Sequence, residues 1–128
     1  MKPIRVAIVD DHAVVRQGVA CILRTEKDLE VVAEAENGLL TVEMVDRLLP
    51  DVVLMDLNMP VLDGFKATEI ITEKHRRIKV IVLSMHNDDS IRARALKAGA
   101  CHFLSKDCQP QGIVAAIRGC QESTPQST

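Results

Sequence analysis

A chain of 128 residues has the length of one domain with a sizeable core. Its 47% apolar and 27% charged residues are ordinary for a soluble globular protein, and a net charge of −2 provides no broad basic field for nucleic acid or an anionic membrane. Two Phe with no Tyr or Trp argue against base-stacking surfaces and aromatic-lined cofactor pockets.

Apolar runs and helical patterns alternate five times along the chain. Ile4–Val9 is a nearly unbroken apolar run, suited to a strand buried on both faces. Ala13–Leu23 follows with Val15, Val19 and Ile22 at helical spacing. Leu29–Ala35 is a more polar strand, expected at the sheet edge. Asn37-Gly38 makes a turn, and the helix Leu39–Leu49 is stopped by Pro50. Val52–Met55 is the most hydrophobic strand. After a loop over Asn58–Asp63, Asp63 is a good N-cap for the helix Gly64–Lys74. Ile78–Leu83 is the fourth strand. Asp88 or Asp89 caps the helix Ser90–Ala98, which Gly99 closes. Cys101–Leu104 is a short fifth strand, and Pro110 opens the last helix, with Ile113, Ile117 and Cys120 on one face. Gln121–Thr128 lacks any apolar residue and reads as a polar tail or the start of an interdomain linker, leaving 1–120 as the domain.

Strictly alternating βα units call for a parallel sheet covered by helices on both faces. The edge-like second strand and hydrophobic third fit the doubly wound, flavodoxin-like order 2-1-3-4-5. Ligands in such sheets bind beyond the carboxyl ends of the strands. Here those ends deliver Asp10 and Asp11, Asp56, Ser84 and Lys106. Alone, Asp10 or Asp11 reads as a helix N-cap, Ser84 as a loop hydroxyl and Lys106 as a solvated charge. Chance does not easily gather all of them.

Three carboxylates from neighbouring strands repel one another unless a cation or protons intervene. An all-oxygen cluster suits Mg²⁺, which takes few protein ligands plus phosphate oxygens. Asp56, on the central strand, is placed to be a carboxylate nucleophile that forms an aspartyl phosphate. The fifth strand lies two strands away, roughly 10 Å. Lys106 is long enough to bridge that gap and neutralise phosphoryl oxygens.

Asp10-Asp11, Asp56 within LMDLNMPVLDG, Ser84 and Lys106 together resemble the receiver domain of bacterial two-component response regulators, from Ile4 to about Cys120. The variants DDHAVVRQG, LSMHNDD and LSKD resemble its NarL/FixJ (LuxR-type) subfamily. The resemblance implies a phosphorylation-dependent signalling switch rather than an enzyme with turnover on a separate substrate. Asp56 is then the phosphoacceptor, with Mg²⁺ held by Asp10, Asp11, Asp56 and the backbone carbonyl of Asn58. Ser84 and Lys106 contact the phosphoryl group. Phe103 matches the switch aromatic, although core packing explains it as well. Implied partners are a sensor histidine kinase, a C-terminal helix-turn-helix effector domain in the parent protein and a second receiver in a phosphorylated homodimer. Two departures stand out. Asp107 replaces a proline that often follows the lysine through a cis bond, and Val61 stands where glycine is frequent.

Three rivals are weaker. A haloacid-dehalogenase-like phosphatase wants a second Asp where Asn58 stands, a flavin carrier wants aromatics, and a pseudo-receiver would lack the complete acid, hydroxyl and lysine set. Cys21, Cys101, Cys108 and Cys120 form no CxxC pair and read as free thiols of a cytoplasmic protein. A zinc site from Cys101, His102 and Cys108 fits no standard spacing. No stretch reaches membrane-spanning length, and the N-terminus lacks a signal-peptide layout. Arg92, Arg94 and Lys97 make the fourth helix basic, which suits contact with a partner protein better than DNA; this chain alone is expected to bind no nucleic acid.

Overall fold

Successive apolar residues along each strand go to opposite faces of a single sheet, and this division builds the molecule. The computed structural model describes residues 2–57, 62–85 and 88–122. Its elements in chain order are β1 (Ile4–Val9), α1 (Ala13–Arg24), β2 (Leu29–Ala35), α2 (Gly38–Leu48), β3 (Val52–Asp56), α3 (Gly64–Lys74), β4 (Lys79–Ser84), α4 (Asp89–Lys97), β5 (His102–Ser105) and α5 (Pro110–Glu122). All pairings are parallel, and the strand order is β2-β1-β3-β4-β5, as the sequence pattern predicts. Polar β2 is indeed an edge, and β3 is buried along its whole length in the middle.

Val6, Ile8, Val52, Leu54, Ile81 and Leu83 pack under Val19, Ala20 and Leu23 of α1 and Ile113, Val114 and Ile117 of α5. The alternate residues Ala7, Val9, Val53, Met55, Val80 and Val82 face Met44 and Val45 of α2, Ile71 of α3 and Ala95 of α4. Among the described residues no helix is long and apolar enough to cross a membrane.

Helix starts follow side-chain chemistry. Asn37, Asp63 and Asp88 each accept a hydrogen bond from the backbone amide three residues on, satisfying an otherwise orphaned donor. Gly99 follows α4 at φ +113°, a conformation that L side chains rarely adopt. Boundaries shift slightly from expectation: β4 starts and ends one residue later, as does β5, and α5 continues two residues beyond Cys120. Loop residues 58–61, including Asn58 and Val61, lie outside the described residues, as does most of the polar tail.

One expectation is corrected. Cys101 and Cys120 are paired in a disulfide, with Cα atoms 6.5 Å apart, whereas Cys21 and Cys108 are free. The pair was not legible as a motif because the βα geometry, not a short spacing, lays the last turns of α5 against the start of β5.

Gly64, the first residue of α3, backs onto the end of β3. Its amide donates to the Leu57 carbonyl at 3.0 Å. A Cβ there would collide with the Asp56 carbonyl oxygen and stand 2.6 Å from Leu57 Cα, both of them backbone. Gly64→Ala is therefore expected to destabilise the fold by about 1–3 kcal/mol, read as a lower urea midpoint at unchanged m-value. A midpoint equal to the wild type's would mean that the strand end yields freely.

Candidate functional site

Parallel registry brings the four strand ends to one edge. Asp56 closes β3 opposite Leu83, and the next residue of β4, Ser84, pairs with Ser105. Asp10, Asp56 and Ser84 are all buried there, at 3%, 3% and 1% exposure. Buried carboxylates at these positions need compensation.

The compensation is Lys106. Its amide donates to the Ser84 carbonyl at 2.9 Å, tying the residue to β4 just past the end of β5. Its Nζ lies 2.9 Å from Asp10 Oδ2 and 3.2 Å from Asp56 Oδ1. The long side chain thus crosses from the outer strand to β3 and β1. The ammonium lies between two of the acids.

A tight turn aims Lys106. The Cys108 amide donates to the Ser105 carbonyl at 3.1 Å, and the Ser105 hydroxyl donates to the Asp107 carboxylate. No described peptide bond is cis, so the Lys106–Asp107 bond is trans. Asp107 replaces the usual proline with a side-chain hydrogen bond that closes the turn.

Asp10 is held from several sides. Its amide donates to the Ala35 carbonyl at 3.1 Å, and its own carbonyl accepts from Arg16 Nη1 at 2.6 Å. Arg16 Nε reaches Glu34 Oε1 at 3.3 Å, so one guanidinium fastens the end of β1 to the edge strand. The sequence reading missed Arg16; only its position one helical turn into α1, on the side of the strand ends, hinted at this use. Asp10 Oδ1 accepts from the His12 amide at 2.9 Å. His12 itself is the N-cap residue of α1 but makes no side-chain cap, and neither Asp10 nor Asp11 fills that role.

His12 was also missed. Its Nδ1 lies 2.9 Å from Asp11 Oδ1 and 3.2 Å from Asp10 Oδ1 at the open side of the site. One ligand atom from each of Asp10, Asp11, His12 and Asp56 falls within 4.8 Å of the others, close enough to share a metal ion. Three carboxylates offer the hard oxygen donors that Mg²⁺ prefers, so the donor set fits that ion.

Phe103 does not join this group. It is buried in the core beside Val82, Ala95 and Ala100, with the Arg92 guanidinium 4.9 Å from its ring centroid. Arg94 covers the Phe65 ring at 4.0 Å. Two of the three cations of α4 are thus laid over aromatic rings.

Burial pulls the Lys106 pKa down, but the Asp10 hydrogen bond and the Asp56 charge outweigh it and leave it raised above 10.5. A raised folded-state pKa means stabilisation present in full below 10.5 and lost as pH rises through the higher folded value. Lys106→Met should cost roughly 3 kcal/mol near neutral pH, because two buried carboxylates lose their cation. In urea titrations the gap to wild type should stay constant from about pH 7 to 9 and close only in the alkaline range. A gap that closes near neutrality would assign the stabilisation to another group.

Residues 6–118 match the response regulator receiver domain family. The transcriptional regulatory protein DegU of Brevibacillus brevis is 41% identical over 115 residues, covering 90% of this chain and 49% of DegU. The chain spans about half the length of the curated relatives it matches. Among solved structures, the signal receiver domain of the response regulator NarL from Mycobacterium tuberculosis superposes with a TM-score of 0.91 at 34% identity, over 95% of this chain and 98% of that one. The isolated REC domain of RcsB from Salmonella enterica serovar Typhimurium, determined with the phosphomimetic BeF₃⁻, gives 0.87 at 25% identity, over 98% and 95%. With a matched segment that contains all of Asp10, Asp11, Asp56, Ser84 and Lys106, the chain belongs to the response regulator receiver domain family.

Proposed function

We propose that this chain is a phosphorylation-dependent switch whose phosphoacceptor is Asp56. The observation that carries the reading is the Lys106 ammonium shared between Asp10 and Asp56 at the carboxyl edge of the sheet. A carboxylate on the central strand, beside a cation and a buried hydroxyl, is equipped for phosphoryl transfer by positioning and charge neutralisation. The donor is a phosphohistidine of a sensor kinase. An Asp56 oxygen attacks phosphorus in line, the new P–O bond replaces the P–N bond, and the histidine leaves.

Asp10, Asp11 and Asp56 would hold Mg²⁺, with the Asn58 carbonyl completing the protein ligands. When bound, the ion neutralises charge gathering on the phosphoryl oxygens. Lys106 contributes the other half of that neutralisation. Before transfer it answers to two carboxylates, and after it the phosphoryl oxygens compete with Asp10 for the same ammonium. Ser84, one strand from Asp56, donates its hydroxyl to the phosphoryl group. Because the Lys106 amide hangs from the Ser84 carbonyl, movement of either residue is felt by both. Phe103 and the face formed by α4, β5 and α5 are the elements that respond.

In the parent protein this face would control a C-terminal helix-turn-helix domain and pairing with a second receiver. The relatives are named transcriptional regulators and extend well beyond the matched region, which supports that arrangement. The chemistry ends on the chain's own carboxylate, so the protein is a phosphoacceptor with self-phosphorylation and autodephosphorylation only. Residues 1–120 form the receiver, with α5 running on to Glu122.

Acetyl phosphate with Mg²⁺ should add one hydroxylamine-labile phosphoryl group to the wild type by intact mass. Asp56→Asn should gain none, and omission of Mg²⁺ should suppress labelling. Full labelling of the Asn variant would move the site elsewhere. In mobility-shift assays at moderate salt the chain alone, labelled or not, should form no sequence-selective DNA complex. A selective complex that survives competitor DNA would require a reading surface outside this account.

A further inference from the structure

We propose that Cys101 and Cys120 are a site of reversible oxidation by peroxide, and that their bridge gives this receiver a second, redox input. The proposal of a bridge stands on geometry alone; its effect on output rests on the switch reading above.

The two Cα atoms are 6.5 Å apart across a separation of 19 residues, inside the distance that a disulfide spans without backbone movement. The cysteines differ in access. Cys101, just ahead of β5, keeps partial contact with solvent, whereas Cys120 is 2% exposed in the core under α5. That asymmetry defines the order of steps. The Cys101 thiolate attacks hydrogen peroxide, giving a sulfenic acid and hydroxide. The Cys120 thiol then displaces the sulfenic oxygen, which leaves as water with the thiol proton. Two thiols and one peroxide become one disulfide and two waters. A dithiol returns it to the reduced form.

The other cysteines make poor competitors. Cys21 is exposed on α1 with no partner thiol, and Cys108 is free, its thiol pushed up by burial and by the Asp107 charge. A chain with one closed pair and two free thiols is not a disulfide framework, and apolar clusters on both faces of its sheet bury far more residues than the one pair joins. In a reducing compartment, such a bond forms in response to oxidant rather than constitutively.

The bridge also encloses a meaningful segment. The loop from 101 to 120 contains Phe103, Lys106 and the turn that aims the lysine. Cys101 is fixed to β4 by its amide, which donates to the Val80 carbonyl at 2.7 Å. α5 is fixed near the same place by Arg118, bound to both oxygens of Asp28 at 2.7 Å and to Glu26 at 2.7 Å. Oxidation adds a covalent joint between these two anchored elements, so β5 and α5 move as one body.

The reduced chain is treated with graded hydrogen peroxide, denatured, alkylated and weighed, and its peptides are mapped without reductant. Wild type is expected to fall from four alkylated thiols to two, to show one Cys101–Cys120 linked peptide, and to recover four after dithiothreitol. Cys101→Ser should keep three alkylated thiols, whereas Cys120→Ser should keep two and stop with Cys101 as a sulfenic acid that dimedone traps, with no internal link in either. Linkage through Cys21 or Cys108, or four open thiols at every dose, overturns the site. Hydrogen exchange on the acetyl-phosphate-labelled chain reads the output. The change that labelling causes in β5 and α5 should be at least about threefold smaller in the oxidised form. An equal change in both redox forms overturns the coupling. Should the reduced, labelled chain show no change there, the switch reading fails and the coupling with it, while the bridge is judged by the peptide map.

Discussion

A single ammonium group stands between two carboxylates that the fold buries side by side, and much of the molecule serves to keep it there. Asp10 and Asp56 end adjacent parallel strands and would repel each other across the sheet edge. Lys106 reaches them from two strands away. Its reach depends on the turn closed by Ser105 and Asp107, and on the bond from its own amide to the Ser84 carbonyl. The result is a site in balance: stable with the acids charged, yet with its cation divided between partners. Any new negative charge on Asp56 redistributes that cation.

The supports around this balance differ in kind. Arg16 and Ala35 fix the backbone of Asp10 rather than its carboxylate, leaving both oxygens to face Lys106 and His12. Gly64 lets α3 start against the Asp56 carbonyl, so the end of β3 is braced by backbone contact and not by a side chain. β4 and β5 contribute through register, since Ser84 and Ser105 are partners. Removing charge, bulk or register therefore perturbs the same few ångströms by different routes.

The opposite half of the β5–α5 unit is held more firmly. Arg118 binds the loop before β2, and the sulfurs of Cys101 and Cys120 meet beneath α5. Phe103 is enclosed between these anchors and α4, where Arg92 covers its ring.

Much of this was legible in the residues. Alternating apolar runs and helical spacing determined the βα order, and the polar character of Leu29–Ala35 against the apolar Val52–Met55 determined which strand is edge and which is central. The residues following the strands named Asp10, Asp11, Asp56, Ser84 and Lys106, because in a parallel sheet all such positions share one edge. What tertiary structure alone decided was pairing at a distance. Nothing in a linear spacing says that Arg16 turns back to the Asp10 carbonyl, that His12 faces both neighbouring acids, that Lys106 divides itself between two strands, or that Cys101 meets Cys120. Each of these depends on the direction in which a side chain leaves a helix or turn already docked on the sheet. That direction is set by packing, which sequence periodicity does not encode.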